Sequence, residues 1–215
     1  MVVREGQSFY YCDDAYEPVI ISGTLTAEEV AAIARKGLHP YIEPITLTVE
    51  GYGAGDGGWY LIASPMIGTT IVRNVEGLIN TNPAHYDLYR FNPSNEDNEW
   101  ENYKATSFNL ENGKGYLYAN SDDATLTFTG TPVEGDTYEV TLMYDANDER
   151  KCWNLVGNPF ASDATLDREY YVMNQDGTGI NPEPIPFTTP IPPCTAVFVK
   201  TETDGETVVF SRVTE

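Results

Sequence analysis

The sequence contains one pattern twice, and this duplication restricts the fold more than any other feature of the chain. An eight-residue block occupies Trp59–Met66, and a matching block occupies Trp153–Phe160. Both blocks read Trp, polar, Leu, aliphatic, small, polar, Pro, apolar. Each block also follows a strand-like stretch at the same distance, so the match extends beyond the eight residues. Two copies of one pattern predict two copies of one structural unit.

Three further pairs of blocks follow in the same order. The pairs are Leu88–Asn92 with Tyr170–Asn174, Gly115–Ala119 with Thr195–Val199, and Thr125–Phe128 with Thr207–Phe210. This alignment places Tyr118 opposite Phe198. Trp153 lies 94 residues after Trp59, whereas the later blocks of the second copy lie 80 to 82 residues after their counterparts in the first. A single deletion of about a dozen residues in the second copy therefore accounts for most of the difference.

The composition and spacing of the repeated blocks favour β structure. Apolar and polar residues alternate along them, 15 tyrosines are present, and 18 glycines with 14 prolines indicate many turns. We therefore predict a mostly β fold of two tandem, internally repeated β-sandwich-like units, at residues 42–133 and 137–213. Only the short turn-like stretch Thr131–Asp136 separates them, so we expect the two units to pack together.

Residues 1–41 form a separate N-terminal region that can be the tail of a preceding region. The aromatic block Ser8–Tyr11 and the β-branched block Pro18–Ile21 predict two short strands. Thr26 with Glu29 makes a capping box, and Gly37 can end a helix. The pattern predicts one short helix between these caps.

The repeated tryptophans have two interpretations. Each tryptophan lies two residues before a leucine, Leu61 or Leu155, so the two side chains share one face of a strand. This is typical of a large side chain that anchors a core. The alternative is that the block lines a ligand pocket. In either case Pro65 and Pro159 should end the strands, because proline removes a ladder donor.

The charge of the chain excludes some partners. Twelve basic and 33 acidic residues give a net charge of -21, which repels nucleic acid and anionic lipid headgroups. No apolar run reaches the roughly 18 residues that a membrane-spanning helix needs, so we expect no membrane insertion of this segment. The first residues, Met1–Gly6, do not resemble a signal peptide. The chain is therefore either cytoplasmic or a piece of a longer exported protein.

The sequence contains no convincing catalytic or metal site. Three cysteines, Cys12, Cys152 and Cys194, and two histidines, His39 and His85, form no zinc or nucleophile motif. We expect no disulfide at Cys12; Cys152 and Cys194 are a possible pair, but we expect free thiols there as well. No cofactor is expected apart from calcium, for which two acidic loops are candidates; neither matches the EF-hand spacing, and solvated turns are the favoured interpretation. These loops are Asn95–Glu99 and Asp145–Glu149.

The repeated blocks resemble a C-terminal β module that recurs in secreted and cell-surface proteins of Bacteroidetes. In the second copy the similar residues are Trp153–Phe160, Ile191–Pro193 and Ala196–Lys200; in the first they are Gly58–Pro65, Tyr86–Phe91, Trp100–Lys104 and Asn112–Asn120. The resemblance covers roughly residues 45–213. It implies export and surface display, often at the end of long adhesin-like chains. It implies no catalytic residues.

Two function hypotheses follow. The first is a non-enzymatic extracellular or cell-surface module for adhesion, display or a stalk, with other surface proteins or glycans as partners. The alternative is a carbohydrate-binding module, which can belong to a longer enzyme or adhesin. A hydrolase with an unrecognised pair of carboxylates is a third, weaker alternative.

The candidate binding residues lie in the segment that distinguishes the first copy, residues 93–104. Trp100 and Tyr103 stand there among asparagine and glutamate residues, which is the usual composition of a sugar-stacking platform. The alternative is that Trp100 is a buried lid over the end of the unit.

Overall fold

The computed structural model describes residues 8–12, 18–22, 39–40, 44–53, 57–95, 98–145, 152–174 and 176–214. Within these ranges the protein is mostly β, as the sequence predicts, and no helix has seven or more residues. The chain divides into two compact units, residues 1–43 and residues 44–215.

The smaller unit contains a three-stranded antiparallel sheet. Its central strand, β1 (Ser8–Cys12), pairs with β2 (Pro18–Ser22) on one side and with β3 (His39–Pro40) on the other. The two strands predicted from the aromatic and β-branched blocks are confirmed. The predicted helix between Thr26 and Gly37 lies outside the described residues.

The first half of the larger unit, residues 44–133, contains eight strands. They are β4 (Ile45–Val49), β5 (Tyr60–Ala63), β6 (Thr69–Thr70), β7 (Tyr86–Phe91), β8 (Trp100–Asn102), β9 (Leu110–Glu111), β10 (Gly115–Asn120) and β11 (Ala124–Phe128). A four-stranded sheet has the order β5-β10-β7-β8, and β4 pairs with β11, and β6 with β9. All these pairs are antiparallel. Two 3-10 helices, Val72–Asn74 and Pro83–His85, precede β7. None of the helices in the described ranges is long and apolar enough to cross a membrane.

The second half, residues 137–214, contains five strands in the described ranges. They are β12 (Thr137–Thr141), β13 (Trp153–Gly157), β14 (Ala164–Leu166), β15 (Ala196–Lys200) and β16 (Thr207–Arg212). One sheet has the order β12-β16-β14, and β13 pairs with β15. Both are antiparallel.

Each half has its own apolar core, to which two sheets contribute. In the first half the β4–β11 sheet and one face of the four-stranded sheet share a core that includes Val49, Leu126, Phe128, Ile62, Leu88 and Tyr118. In the second half the core includes Val140, Val208, Phe210, Val156, Val197 and Val199. Alternation along each strand sends every second side chain into these cores and leaves the intervening side chains on the opposite face.

One ladder in each half, β5–β10 and β13–β15, contains a strand of the repeated tryptophan block. Leu61 lies opposite Leu117 in the β5–β10 ladder, and Leu155 lies opposite Phe198 in the β13–β15 ladder. Phe198 therefore occupies the place of Leu117. The sequence alignment had matched it with Tyr118 instead. The one-residue difference matters because it moves Phe198 from the core face of its strand to the opposite face.

The halves meet through two sets of matching contacts. Ile62 forms an isolated bridge with Thr195, and Val156 forms the corresponding bridge with Lys114. The hydrogen bonds across the junction also match. The amide of Ala63 donates to the carbonyl of Cys194 at 2.9 Å, and the amide of Gly157 donates to the carbonyl of Gly113 at 3.0 Å.

The residues that accept these bonds share an unusual backbone conformation. Gly113 has φ +79° and Cys194 has φ +59°, and Cys194 is the one non-glycine residue with positive φ in the described ranges. The Cys194 side chain is fully buried and packs into the core of the first half. Burial raises the pKa of this thiol to about 12. No disulfide joins it to Cys152.

Candidate functional site

A cleft lined by aromatic side chains lies where the two halves meet. Its volume is about 510 Å³, which is within the range of small-molecule sites. We call it the aromatic cleft. Its aromatic lining residues are Trp59, Phe91, Trp100, Trp153 and Phe198, and its aliphatic lining residues include Leu61, Leu117, Met173 and Ile180.

The cleft is formed by the strand faces that point away from the two cores. In β5, Ile62 enters the first core while Leu61 faces the cleft; in β13, Val156 enters the second core while Leu155 packs in the cluster below the cleft. Apolar residues of both strand faces lie in one cluster, which includes Leu61 and Leu155. The apolar residues on these faces therefore cover each other across the junction.

Small residues allow this close approach. A Cβ at Gly157 would lie 2.4 Å from the Cβ of Ala63, and a Cβ at Gly115 would lie 2.6 Å from the Cβ of Ala196. Gly115 is paired with Ala63, and Gly157 with Ala196, in the two ladders. Each half thus places one glycine and one alanine at the junction, and the alanine methyl of one half occupies the space left by the glycine of the other.

Two hairpins form the walls of the cleft. In the first half β7 and β8 pair Phe91 with Trp100, and the amide of Asn92 donates to the carbonyl of Glu99 at 2.7 Å. In the second half Met173 bridges Ile180, and the amide of Asn174 donates to the carbonyl of Gly179 at 2.8 Å. Each hairpin places one side chain from each of its arms on the cleft.

The tip of the second hairpin packs against the backbone before β5. Gly177 has φ +66°, and a Cβ there would lie 2.4 Å from the backbone nitrogen of Trp59. The amide of Gly58 donates to the carbonyl of Asp176 at 3.1 Å. Only glycine fits at position 177, because both the left-handed φ and the close approach exclude a side chain. This contact holds Trp59 at the edge of the cleft.

The aromatic rings of the cleft are inclined to one another. Phe198 meets Trp100 at 85° with 6.1 Å between ring centroids, and it meets Trp153 at 86° with 6.0 Å. Phe91 and Trp100 lie 5.1 Å apart at 58°. Edge-to-face pairs of this kind stabilise each other by about 0.5–1.5 kcal/mol beyond their burial. The rings therefore form a concave, pre-organised wall and not a flat platform.

Few polar groups reach the cleft. Among its lining residues in the described ranges, Glu99 is the one with a formal charge, and Thr178 contributes a hydroxyl. The Thr178 hydroxyl donates to Asp176 at 2.6 Å, and this bond lowers the pKa of the Asp176 carboxyl. Outside the cleft wall, Lys200 Nζ lies 4.3 Å from the centroid of the Trp153 ring.

The polar contacts of the first hairpin fix its shape. Glu101, beside Trp100 in β8, accepts hydrogen bonds from the side chains of Asn92 at 2.8 Å and Asn95 at 3.0 Å. These bonds, with those from Arg90, hold the pKa of the Glu101 carboxyl below its usual value. The amide-rich segment that suggested a sugar platform thus uses several of its polar groups within the hairpin.

The structure separates the two residues predicted to bind ligand. Trp100 is half-buried and lines the aromatic cleft. Tyr103 packs instead against Phe108, 5.4 Å away, at the core of the first half. Tyr103 is therefore not brought together with Trp100.

Trp59 and Trp153 lie in a different place from the one the core-anchor interpretation predicts. Both are half-buried and line the aromatic cleft, while fully buried residues such as Phe128 and Phe210 anchor the cores. Their place agrees with the alternative interpretation, in which the block lines a pocket, whereas Phe91 and Phe198 were not singled out from the sequence as pocket residues. The available signal was the shared position of Trp59 and Trp153 in the two matching blocks.

The acidic loops proposed for calcium are only partly within the described ranges. Residues 96–97 and 146–150 lie outside them. Within the described residues, no group of three or more His, Cys, Asp or Glu side chains is arranged to hold a metal ion. Calcium binding stays a prediction.

Comparison with known proteins leaves the chain's family open. No protein-family model, no curated protein and no solved structure matches the sequence or the fold.

Proposed function

We propose that this chain is a non-enzymatic binding module, and that the aromatic cleft is its binding site. The observation that carries the proposal is the concentration of aromatic side chains: all three tryptophans of the chain line one cleft of about 510 Å³. Half-buried tryptophans leave apolar area exposed to water, and a ligand that covers this area gains free energy. An adhesion role follows if the ligand belongs to another cell or surface.

The module is, in this proposal, a duplicated pair of β-sandwich-like units. The matching ladders support the duplication, since Leu61 with Leu117 corresponds to Leu155 with Phe198. The matching bridges and hydrogen bonds across the junction support it as well. Such an arrangement makes the cleft a product of both copies, so that neither copy alone would contain it.

The place of action in this proposal is the surface of a bacterium or the medium around it. The resemblance of residues 45–213 to surface modules of Bacteroidetes supports this, and so does the net charge of -21, which keeps a displayed module soluble. A display or stalk role without a ligand is the alternative, and it predicts that nothing binds in the cleft.

Carbohydrate is the second candidate ligand. Trp100 favours it, because this half-buried ring lies in the cleft and an indole can stack on the C–H surface of a sugar. The scarcity of polar groups in the cleft weighs against it, since sugar hydroxyls need hydrogen-bond partners when they are desolvated.

The intrinsic fluorescence of the protein tests the proposal directly. Because all three tryptophans line the cleft, any bound ligand should change the tryptophan emission. We expect a saturable change with at least one ligand from a panel of glycans, organic ions and apolar compounds. A glycan array with the labelled protein tests the carbohydrate candidate in parallel.

Trp100→Ala localises the binding. We expect this variant to lose at least tenfold in affinity for any ligand found, and to lose about 1–3 kcal/mol of stability because its ring contacts disappear. Tyr103→Ala is the matched control, since Tyr103 is an aromatic residue outside the cleft and should keep the affinity. Binding that survives Trp100→Ala, or a panel on which nothing binds, would argue against the cleft as the functional site.

A further inference from the structure

The shape of the aromatic cleft restricts the kind of ligand it can hold. The ring pairs around it, among them Trp59 with Tyr89, Phe91 with Trp100 and Trp153 with Phe198, are inclined by 52° to 86°. A pyranose stacks best on a flat, open ring. Rings inclined to each other surround a compact group on several sides, which is the arrangement that recognises quaternary ammonium ions.

The charge around the cleft favours a cation. Glu99 is the charged residue of the described lining, and no lysine or arginine is among the described lining residues. The whole chain carries a net charge of -21, which raises the local concentration of cations at such a surface.

The molecule already pairs cations with the rings beside the cleft. Lys200 Nζ lies 4.3 Å from the Trp153 ring centroid and 5.1 Å from that of Tyr171. These distances are within the roughly 6 Å over which a cation is attracted to an aromatic face. Lys200 thus shows that an aromatic ring of this region attracts positive charge, and since Lys200 already occupies the Trp153 ring, a bound cation would use the other rings of the cleft.

The volume and lining of the cleft also require apolar groups on the ligand. About 510 Å³ is more than a small ammonium group fills, and Leu61, Leu117 and Met173 extend the apolar surface. The ligand must therefore carry apolar substituents next to its charge, as a fully alkylated ammonium does.

From these observations we propose that the aromatic cleft binds an organic cation of the quaternary-ammonium class. The rings attract the positive charge, Glu99 adds a negative charge at the edge, and the aliphatic residues cover the alkyl groups. The inference rests on the proposed binding function and specifies its ligand class.

A pair of isosteric probes tests the charge requirement. Choline and its neutral carbon analogue 3,3-dimethylbutan-1-ol have the same shape, and only choline is charged. We expect titration of the full chain, followed by tryptophan fluorescence and calorimetry, to show choline binding about tenfold more tightly than the neutral analogue. Added salt should weaken choline binding and leave the neutral analogue unaffected.

Variants identify the groups responsible. Glu99→Gln should weaken choline binding about threefold to tenfold and leave the neutral analogue unchanged. Trp100→Ala should weaken both probes, and Tyr103→Ala neither. Circular dichroism of each variant checks that it is folded.

The outcomes separate this inference from the proposed function. Equal binding of the two probes would overturn the cation inference and keep a binding cleft of apolar specificity. Binding of oligosaccharides in place of both probes would overturn it in favour of the carbohydrate candidate. If no ligand of any class changes the fluorescence, the proposed function itself fails.

Discussion

The two halves of the larger unit have corresponding strand pairings, but they build the wall of the cleft differently. In the first half the hairpin presents Phe91 and Trp100, and Glu101 with its asparagine partners fixes its turn. In the second half the corresponding hairpin presents Met173 and Ile180. Its tip contains Gly177, which packs on the backbone of Trp59.

This difference indicates which positions the fold restricts. Core positions such as Phe128 and Phe210 hold the same residue in both halves and are fully buried. The hairpin positions on the cleft are aromatic in the first half and aliphatic in the second, because one side of each hairpin faces the cleft and is not fixed by a core. The comparison therefore separates residues that maintain the scaffold from residues that shape the site.

The largest expected effect concerns the shared core position. We expect Phe128→Ala and Phe210→Ala each to cost about 3–5 kcal/mol in the free energy of unfolding, because each removes a fully buried ring. Urea denaturation of both variants measures this. Phe187→Ala is the control, since its ring is exposed and the change should be within about 0.5 kcal/mol. Costs for the two core variants that differ by more than about 2 kcal/mol would contradict their equivalence.

The junction between the halves gives the next largest effect. A methyl group at Gly157 would meet the Cβ of Ala63 at 2.4 Å and the carbonyl oxygen of Lys114 at 2.5 Å. We expect Gly157→Ala to cost about 1–3 kcal/mol through overpacking. Gly115→Ala should cost less, because one of the groups it meets is the movable side chain of Leu155.

A double variant tests whether the clash across the junction is the cause. Adding Ala63→Gly to Gly157→Ala should restore part of the lost stability, since it removes the nearest methyl group. If the double variant is as unstable as the sum of its single variants, the two positions do not interact as the geometry indicates.

A smaller effect on stability is expected at the two junction residues with a left-handed backbone conformation, Gly113 and Cys194. Gly113→Ala should cost about 1–2 kcal/mol, because a side chain at positive φ is strained. Its Cβ would also lie 2.9 Å from the Tyr138 ring. Cys194→Gly should change the free energy of unfolding by less than about 1 kcal/mol, since relief of strain offsets the loss of a buried thiol. Thermal denaturation with both variants measures this, and a strong loss with Cys194→Gly would contradict a strained Cys194.

The smallest effect concerns the acid stability of each half. Hydrogen bonds from Arg168 and Thr201 lower the pKa of Glu206 to about 2, and those of Asn92 and Asn95 lower the pKa of Glu101. A depressed pKa contributes stability above the unfolded-state pKa of about 4.3. This contribution is lost as the pH falls toward the folded-state value.

Matched glutamine variants measure these contributions. Wild type should lose a small part of its stability between about pH 4.3 and pH 2. Glu206→Gln and Glu101→Gln should each reduce this dependence. The measurement is the urea midpoint at successive pH values, with Glu139→Gln as an exposed control in β12. Identical pH profiles for wild type and the Glu206 variant would show that Glu206 has no role in acid stability.

Much of the β structure could be predicted from the sequence, but the candidate site only in part. The blocks around Trp59 and Trp153 gave two strands ending before a proline, and β5 and β13 end at Ala63 and Gly157. Trp100 was predicted as a binding candidate and lies in the cleft. Tyr103 was predicted with it but lies elsewhere, packed against Phe108 beyond the end of β8.

The alignment error at Phe198 shows where sequence reasoning stops. Matching Phe198 to Tyr118 preserved the aromatic character but shifted the strand by one residue. Because side chains alternate with a period of two, that shift exchanges the core face for the cleft face. Only the ladder, in which Phe198 pairs with Leu155, shows which face the ring occupies.

The sequence by itself determined the β character of the chain, the strong negative charge and the repeated order of the blocks. These properties follow from composition and from the local order of residues, and neither depends on contacts between distant segments. The tertiary structure decided that Trp59, Trp100 and Trp153 meet in one cleft. It did so because the glycine and alanine residues at the junction let the two strand faces approach, and such an approach depends on packing between segments distant in the sequence.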